Sequence, residues 1–431
     1  MTGAIPLIPA ATEQNFWLRV GTVLDGQSST PLRNASIVYN RDGIRFVGRD
    51  GSTPPRELLR PGQSAPDLEA PDCTLLPGLI EAHAHLFLEG GELNAEKRAV
   101  YLQQSPEGLL AAARGRLEKL VRLGVIGVRD AGDKDGVGLA LSKLYASGSQ
   151  VRPLMPYLDS PGAAIHHKGR YGSFMADALE NYASPRACVE ARVAAGADRI
   201  KLIPTGIINF KKAAVTAEPQ MTTEEVAELV AAAKSCDRQT FAHASGDVGI
   251  DRAIDGGVDS IEHGFFLRDD QLAKMRDRKT AWVPTFAPVQ KQIDHAAIMG
   301  WEPEIVVNLR GIIERHGASL VKAYAMGVLI IAGSDAGSYG VRHGDGLIYE
   351  LELMERAGLP AIAVLNSATG TSSGRLGYKE KFGRIEAGYL SRFIITRHSP
   401  LATVSNLRRS RTIVFDGEVF GTDDKADIQG L

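Results

Sequence analysis

The residues from Gly78 to Gly91, GLIEAHAHLFLEGG, end an apolar run with two imidazoles separated by a single alanine, His83 and His85. Residues two apart on a strand face the same way, so this pair can chelate one ion without any rearrangement of the backbone. Groups of the same chemical kind recur at the ends of later apolar runs: Asp130, Asp159, Lys201 in RIKLIPTG, His243 in TFAHASG, His263 in VDSIEHG and Asp335 in VLIIAGSDAG. Each has an ordinary reading when taken alone. His243 and His263 read equally as hydrogen-bonded core histidines, and Asp335 as a helix cap after a strand. Lys201, between Ile200 and Leu202, is harder to place, because lysine is rarely buried unless paired; its plain alternative is to snorkel to a rim. Four histidines, a lysine and an aspartate together make a coherent ligand set for zinc or a similar divalent ion.

Such a set needs elements that bring distant residues to one end. Eight short apolar runs occur between about residues 77 and 375, from LLPGLIEAH through VIGVRDAG, RPLMPYLD and AWVPTF to VLIIAGSDAG, each followed by a helical pattern. Among the helices, TTEEVAELVAAAKSC opens with Thr222 and Glu225 at capping-box spacing. Strands alternating with helices imply parallel pairing and right-handed crossovers, and eight units predict a (β/α)8 TIM barrel over residues 76–375. In that fold the functional groups sit at the carboxyl ends of the strands, where the residues above fall. Residues 1–75 and 376–431 instead alternate strand-like runs with turn signals and predict a small β-sandwich built from both termini.

Composition narrows the function classes. The 431-residue chain is 44% hydrophobic with a net charge of −2, which offers no basic field for nucleic acid and no polybasic membrane patch. Cys73, Cys188 and Cys236 are distant and odd in number, which argues for free thiols in a reducing compartment. The N-terminal stretch lacks a charged segment before a long apolar run, and no stretch reaches the ~18 apolar residues that span a bilayer. A cytoplasmic enzyme of a small-molecule substrate is expected, as a homo-oligomer.

PGLIEAHAH, IKLIPTG, AHASG, IEHG and GSDAG, in that order, resemble the amidohydrolase superfamily of metal-dependent hydrolases over nearly the whole chain. The nearest branch holds prolidase-like dipeptidases, Xaa-Arg or Xaa-Lys carboxypeptidases and ochratoxin-type amidases. The resemblance implies two divalent ions, zinc first, with His83 and His85 on the more buried ion and His243 and His263 on the more exposed one. It implies that Lys201 bridges them as a carboxylated lysine, and that Asp335 binds the buried ion and acts as the general base. A free ammonium would repel two dications, and burial beside cations frees the amine to react with carbon dioxide. Glu81 stands where the family often writes aspartate, on the face shared with His83, and removes no ligand.

The reaction implied is hydrolysis of an amide or peptide bond, of an N-acyl amino acid or dipeptide, by metal-bridged hydroxide. The same machinery serves the alternative of a cyclic amide, carbamate, urea or ester. A substrate with a free carboxylate calls for cationic or hydrogen-bonding partners. The loop SPGAAIHHKGRYG offers His166 and His167 as catalytic groups toward the scissile carbonyl, and Arg170 and Tyr171 as substrate contacts. His295 after the seventh strand, and Tyr339, Arg342 and His343 after the eighth, complete the substrate candidates. His316 and His398 read as surface or helix residues. The glycines near Gly132 and Gly333 lack the spacing of a phosphate cradle.

Overall fold

The computed structural model describes residues 14–147 and 154–422. The reading of residues 1–13 as leaderless lies outside that range. The strands are β1 (Phe16–Val23), β2 (Leu32–Asn40), β3 (Gly43–Gly48), β4 (Leu68–Pro77), β5 (Leu79–Ala84), β6 (Val125–Asp130), β7 (Tyr157–Asp159) and β8 (Ala164–His166). They continue as β9 (Ala176–Ala178), β10 (Ile200–Leu202), β11 (Thr240–Ala244), β12 (Ser260–His263), β13 (Ala281–Val283), β14 (Arg392–Thr396), β15 (Arg411–Phe415) and β16 (Glu418–Thr422). The chain forms two compact units. One takes the stretch ending at Ile80, Glu118–Gly127 and the stretch beginning at Pro360; the other takes Glu81–Leu117 and Val128–Leu359.

The second unit is α/β. Its six-stranded sheet runs β13-β12-β11-β10-β8-β9, every neighbouring pair parallel. Another sheet, β5-β6-β7, carries the first three apolar runs. Helices between the strands cover them, as parallel pairing requires. The helix Thr223–Ser235 starts at the expected capping box, with Thr222 Oγ1 accepting from Glu225 N and the Glu225 carboxylate accepting from Thr222 N.

Two features depart from the expected alternation. The fourth apolar run, β10, pairs with β8 rather than with the third run. Ala164, Ile165 and His166 form a short buried strand inside what reads as a polar loop. The eighth run, around residues 328–336, is not a regular strand. It makes isolated parallel bridges to Trp282 and Ala84, with Ile331 N donating to Trp282 O at 3.0 Å and Ala82 N to Ala332 O at 2.9 Å. Its ladder breaks because Ser334 N is diverted to the Glu81 carboxylate at 2.8 Å and Asp335 takes a left-handed φ of 55°. Gly333 is needed there: a Cβ would lie 2.8 Å from the backbone N of His83.

The terminal strands of the first unit form one seven-stranded sheet, β16-β15-β14-β4-β1-β2-β3. The two layers expected of a sandwich arise by coiling of this single sheet. Tyr39 on β2 and Phe393 on β14 are three strands apart, which is about 14 Å in a flat sheet. Their rings nevertheless meet edge to face with centroids 5.0 Å apart. The coil encloses Leu18, Val20, Ile37, Leu75, Phe393 and Val414 in one apolar cluster.

Candidate metal centre

The second unit gathers the predicted ligands. His83, His263 and Asp335 each offer a ligand atom within 4.8 Å of the others, a group able to hold a metal ion. Asp335 Oδ1 lies 3.7 Å from His83 Nε2 and 3.6 Å from His85 Nε2. The His243 ring is 4.5 Å from that of His263, and the Lys201 ammonium lies 5.5 Å from the centre of the Phe241 ring, both residues being buried. His263 and Asp335 have positive φ, 69° and 55°, so two of the cluster's residues sit where non-glycine backbone is strained.

The outward nitrogens are tied down. His83 Nδ1 donates to Glu262 Oε2 at 2.6 Å, and His85 Nδ1 to the Gly132 carbonyl at 3.0 Å. His263 Nδ1 meets Thr285 Oγ1 at 2.7 Å, and His243 Nε2 meets the Gly206 carbonyl at 3.3 Å. Each contact fixes ring orientation and leaves the other nitrogen toward the cluster. Burial, reinforced by the charge of Lys201, holds His83 and His85 far below the usual histidine range, and His243 at about 3. Burial and the neighbouring imidazoles do the same for His263. All four are therefore neutral and keep lone pairs. Burial lowers Lys201 to about 8 and raises Asp335 to about 7.

His83 Nε2 and Asp335 Oδ1 are buried without a hydrogen-bond partner among the described residues. Leaving such groups unsatisfied costs roughly 1–3 kcal/mol each. A divalent cation would satisfy both at once, so the residues present fit a metal ion.

Beside the cluster opens a cavity of about 250 Å³, lined by His85, Lys201, His243, His263 and Asp335 and by an apolar wall that includes Leu88, Met175, Ile208, Phe265 and Pro288. Of the substrate and catalytic candidates, Tyr171 and Tyr339 line it. Tyr171 packs its ring on His243 at 5.3 Å. The other candidates stand outside the lining. His166 is a buried residue of β8, its Nδ1 unpartnered among the described residues. His167 Nδ1 hydrogen-bonds Glu180 at 2.8 Å, and its Nε2 lies 3.3 Å from Glu225. Arg170 donates to the Glu218 carbonyl, His343 Nε2 meets the Leu88 carbonyl at 3.0 Å, and His295 ends the helix Phe286–Asp294. Arg342 is exposed. Asp130 accepts from Ser160 Oγ and two backbone N–H groups, while Asp159 pairs with Arg199 at 2.7 Å.

Two buried residues missing from the sequence reading support the cluster. Arg129 on β6 forks onto both oxygens of Glu262 at 2.8 Å, and also donates to the Ala82 carbonyl and Ser260 Oγ. Glu262 in turn holds His83. His316, expected as a surface or helix residue, is helical but buried, stacked on Phe265 at 4.0 Å with Nε2 on the Pro284 carbonyl at 2.9 Å.

Parallel sheets that bring imidazoles and a carboxylate together from strand ends form an arrangement suited to a divalent ion of the kind hydrolases use. The chain belongs to the Amidohydrolase family, which matches residues 74–419. It is a hydrolase acting on C–N bonds, of the prolidase-like and ochratoxinase branch. The chain is 24% identical to ochratoxinase of Aspergillus niger over 444 residues, covering 95% of this chain and 87% of that one. It superposes on a Xaa-Pro dipeptidase crystallised with methionine in its active site, with TM-score 0.77 and 27% identity, over 95% of this chain and 100% of the other. The crystal structure of A. niger ochratoxinase gives TM-score 0.75 at 21% identity, covering 94% and 95%, a likeness of fold.

Proposed function

We propose that the chain is a binuclear metal-dependent hydrolase that cleaves an amide or peptide bond, of an N-acyl amino acid or dipeptide, from a closed (β/α)8 barrel over residues 76–375. The observation that carries this reading is the set of neutral imidazoles whose outward nitrogens are already bonded, beside a carboxylate oxygen with no hydrogen-bond partner among the described residues. His83, His85 and Asp335 would hold one ion and His243 and His263 the other, with zinc suited to these donors. Lys201 would span both after its neutral amine adds to carbon dioxide and releases one proton, which converts a repelling cation into an anionic oxygen donor. Bound metal would supply a water acidic enough to attack near neutral pH and a Lewis acid for the scissile carbonyl.

The protein's own groups do the rest. Asp335 receives the proton of the attacking water and returns it to the leaving amine, a transfer suited to a carboxylate within 4 Å of two ligand nitrogens. Tyr171 stays a neutral donor on the wall, because burial raises its pKa. Its position on His243 suits a hydrogen bond to substrate oxygen. The family membership and the relatives named ochratoxinase and Xaa-Pro dipeptidase support amide cleavage. One observation favours the alternative of a neutral cyclic amide, carbamate, urea or ester: no arginine lines the cavity to receive a carboxylate.

Metal analysis tests the reading. Purified protein should carry two divalent ions per chain and lose activity to a chelator. Lys201→Ala should retain fewer ions and lose roughly 100-fold or more in kcat. Less than one ion per chain with chelator-indifferent turnover would overturn it.

A further inference from the structure

We infer that the wall beside the metal cluster is a binding subsite for an uncharged aromatic ring of the substrate, which deepens and rests on the hydrolase reading above. The wall is built from Tyr171, Phe174, Ile207, Phe210, Val289 and Tyr339. Two of these apolar side chains stand in water at its lip: Ile207 is 56% exposed and Phe174 38% exposed. Large apolar groups left exposed beside a cluster of ligands mark a surface that something apolar covers. Because they adjoin the reacting centre, the occupant is the substrate itself.

The wall is preformed. Asn209 and Ala214 exchange backbone hydrogen bonds at 2.8 and 3.4 Å, closing the short loop that carries Phe210, two residues beyond Ile207. Asn308 Nδ2 holds the same loop through the Phe210 and Lys211 carbonyls at 3.2 and 3.0 Å. Phe210 meets Trp301 edge to face, with centroids 6.0 Å apart at 89°. Tyr171 and Phe174, also of the lining, lie 5.9 Å apart at 64°, the edge-to-face arrangement that aromatic rings prefer.

Charge argues in the same direction. Apart from histidines and the phenols of Tyr171 and Tyr339, the ionisable acids and bases of the lining are Lys201 and Asp335, both placed in the ligand cluster. Arg170 donates to the Glu218 carbonyl, Arg342 stands outside the lining, and Arg98, 5.0 Å over the Tyr339 ring, donates to the Glu89 and Gly337 carbonyls. A substrate carboxylate or ammonium brought against the apolar part of this wall would lose its hydration without meeting a lining arginine, glutamate or further lysine. The ring can sit on the acyl or the amine side of the scissile bond, and the same wall serves both.

Two matched series on the metal-loaded protein separate these cases. The first varies the acyl group on one amine through acetyl, cyclohexanoyl, benzoyl and succinyl. The second varies acetylated alanine, phenylalanine and aspartate amides. In at least one series the aromatic member should exceed the smallest by about tenfold or more in kcat/KM, with the charged member lowest. Ile207→Asp and Phe174→Ser, at exposed positions whose folding a melting curve confirms, should cut that aromatic preference roughly tenfold. A preference for the charged member, no aromatic preference in either series, equal rates for cyclohexanoyl and benzoyl where the acyl series carries the preference, or a preference unchanged in both variants would overturn the inference. Calorimetric binding of 2-naphthamide is read apart from turnover. If it binds wild type and is weakened by Ile207→Asp while no amide is hydrolysed, the hydrolase reading falls and the subsite stands. If it binds neither protein and no aromatic preference is seen, the subsite falls.

Discussion

Arg129, Glu262 and His83 form a buried chain in which one guanidinium nitrogen, Nη2, donates to both oxygens of a carboxylate that in turn meets an imidazole Nδ1. The carboxylate keeps His83 in the tautomer whose Nε2 faces the cluster, and Arg129 holds the carboxylate in place. Glu262→Gln preserves the shape and removes the charge, so metal affinity should fall about 10–100-fold. Competition with a chromophoric chelator would measure it; an unchanged dissociation constant would show that Glu262 only fills space. The sequence displayed both residues without disclosing the pair. Adjacent residues on a strand face opposite ways, so in IEHG either Glu262 or His263 should point to the cluster, not both. The left-handed φ of His263 breaks that alternation and lets both contribute. Lys201, His243 and the His83/His85 pair needed no such break, and their gathering at one end of the strands was legible from residue type and position.

At the scale of elements, the recurrence of apolar runs and amphipathic stretches was a true signal for parallel strands with helices between them. Pairing order was not legible, since periodicity says which residues are buried and not which strand lies beside which. The neighbour of β10 was decided by Ala164 and Ile165, two buried apolar residues inside a polar loop. The eighth run lost its ladder to a side chain, Glu81, that no pattern of hydrophobicity reports. His316 shows the opposite case, where the signal was present. It falls on the buried stripe Leu309, Ile312, His316, Leu320 and Ala323 of the helix Pro303–Met326, spaced by threes and fours. Burial lowers its pKa from 6.5 to about 4. A depressed folded-state pKa means that its contribution is complete above pH 6.5 and is lost as pH falls toward 4. The full term is on the order of 3 kcal/mol. His316→Gln should therefore flatten the fall of Tm across that window, and parallel Tm–pH curves for wild type and variant would refute the assignment.

For the molecule as a whole, the proposed ligand positions run from His83 to Asp335, so an ion held by all of them would tie together β5, β10, β11, β12 and the irregular eighth run. An unfolded chain holds these groups far apart and cannot offer them to one ion, so binding is linked to folding. The sequence made this span visible. It did not make visible that the terminal strands coil as one sheet, since curvature leaves no mark in an alternating pattern. All the ligands belong to the unit of Glu81–Leu117 and Val128–Leu359, and the terminal sheet belongs to the other. Metal in thousandfold excess over its dissociation constant adds about 4 kcal/mol to the state that binds it. Chelation should then lower Tm by several degrees. Where calorimetry resolves two transitions, only one should move with metal concentration, and Tyr39→Ala in the terminal sheet should shift the other. A metal-bearing protein whose melting ignores the chelator would show that the cluster serves catalysis without holding its strands together.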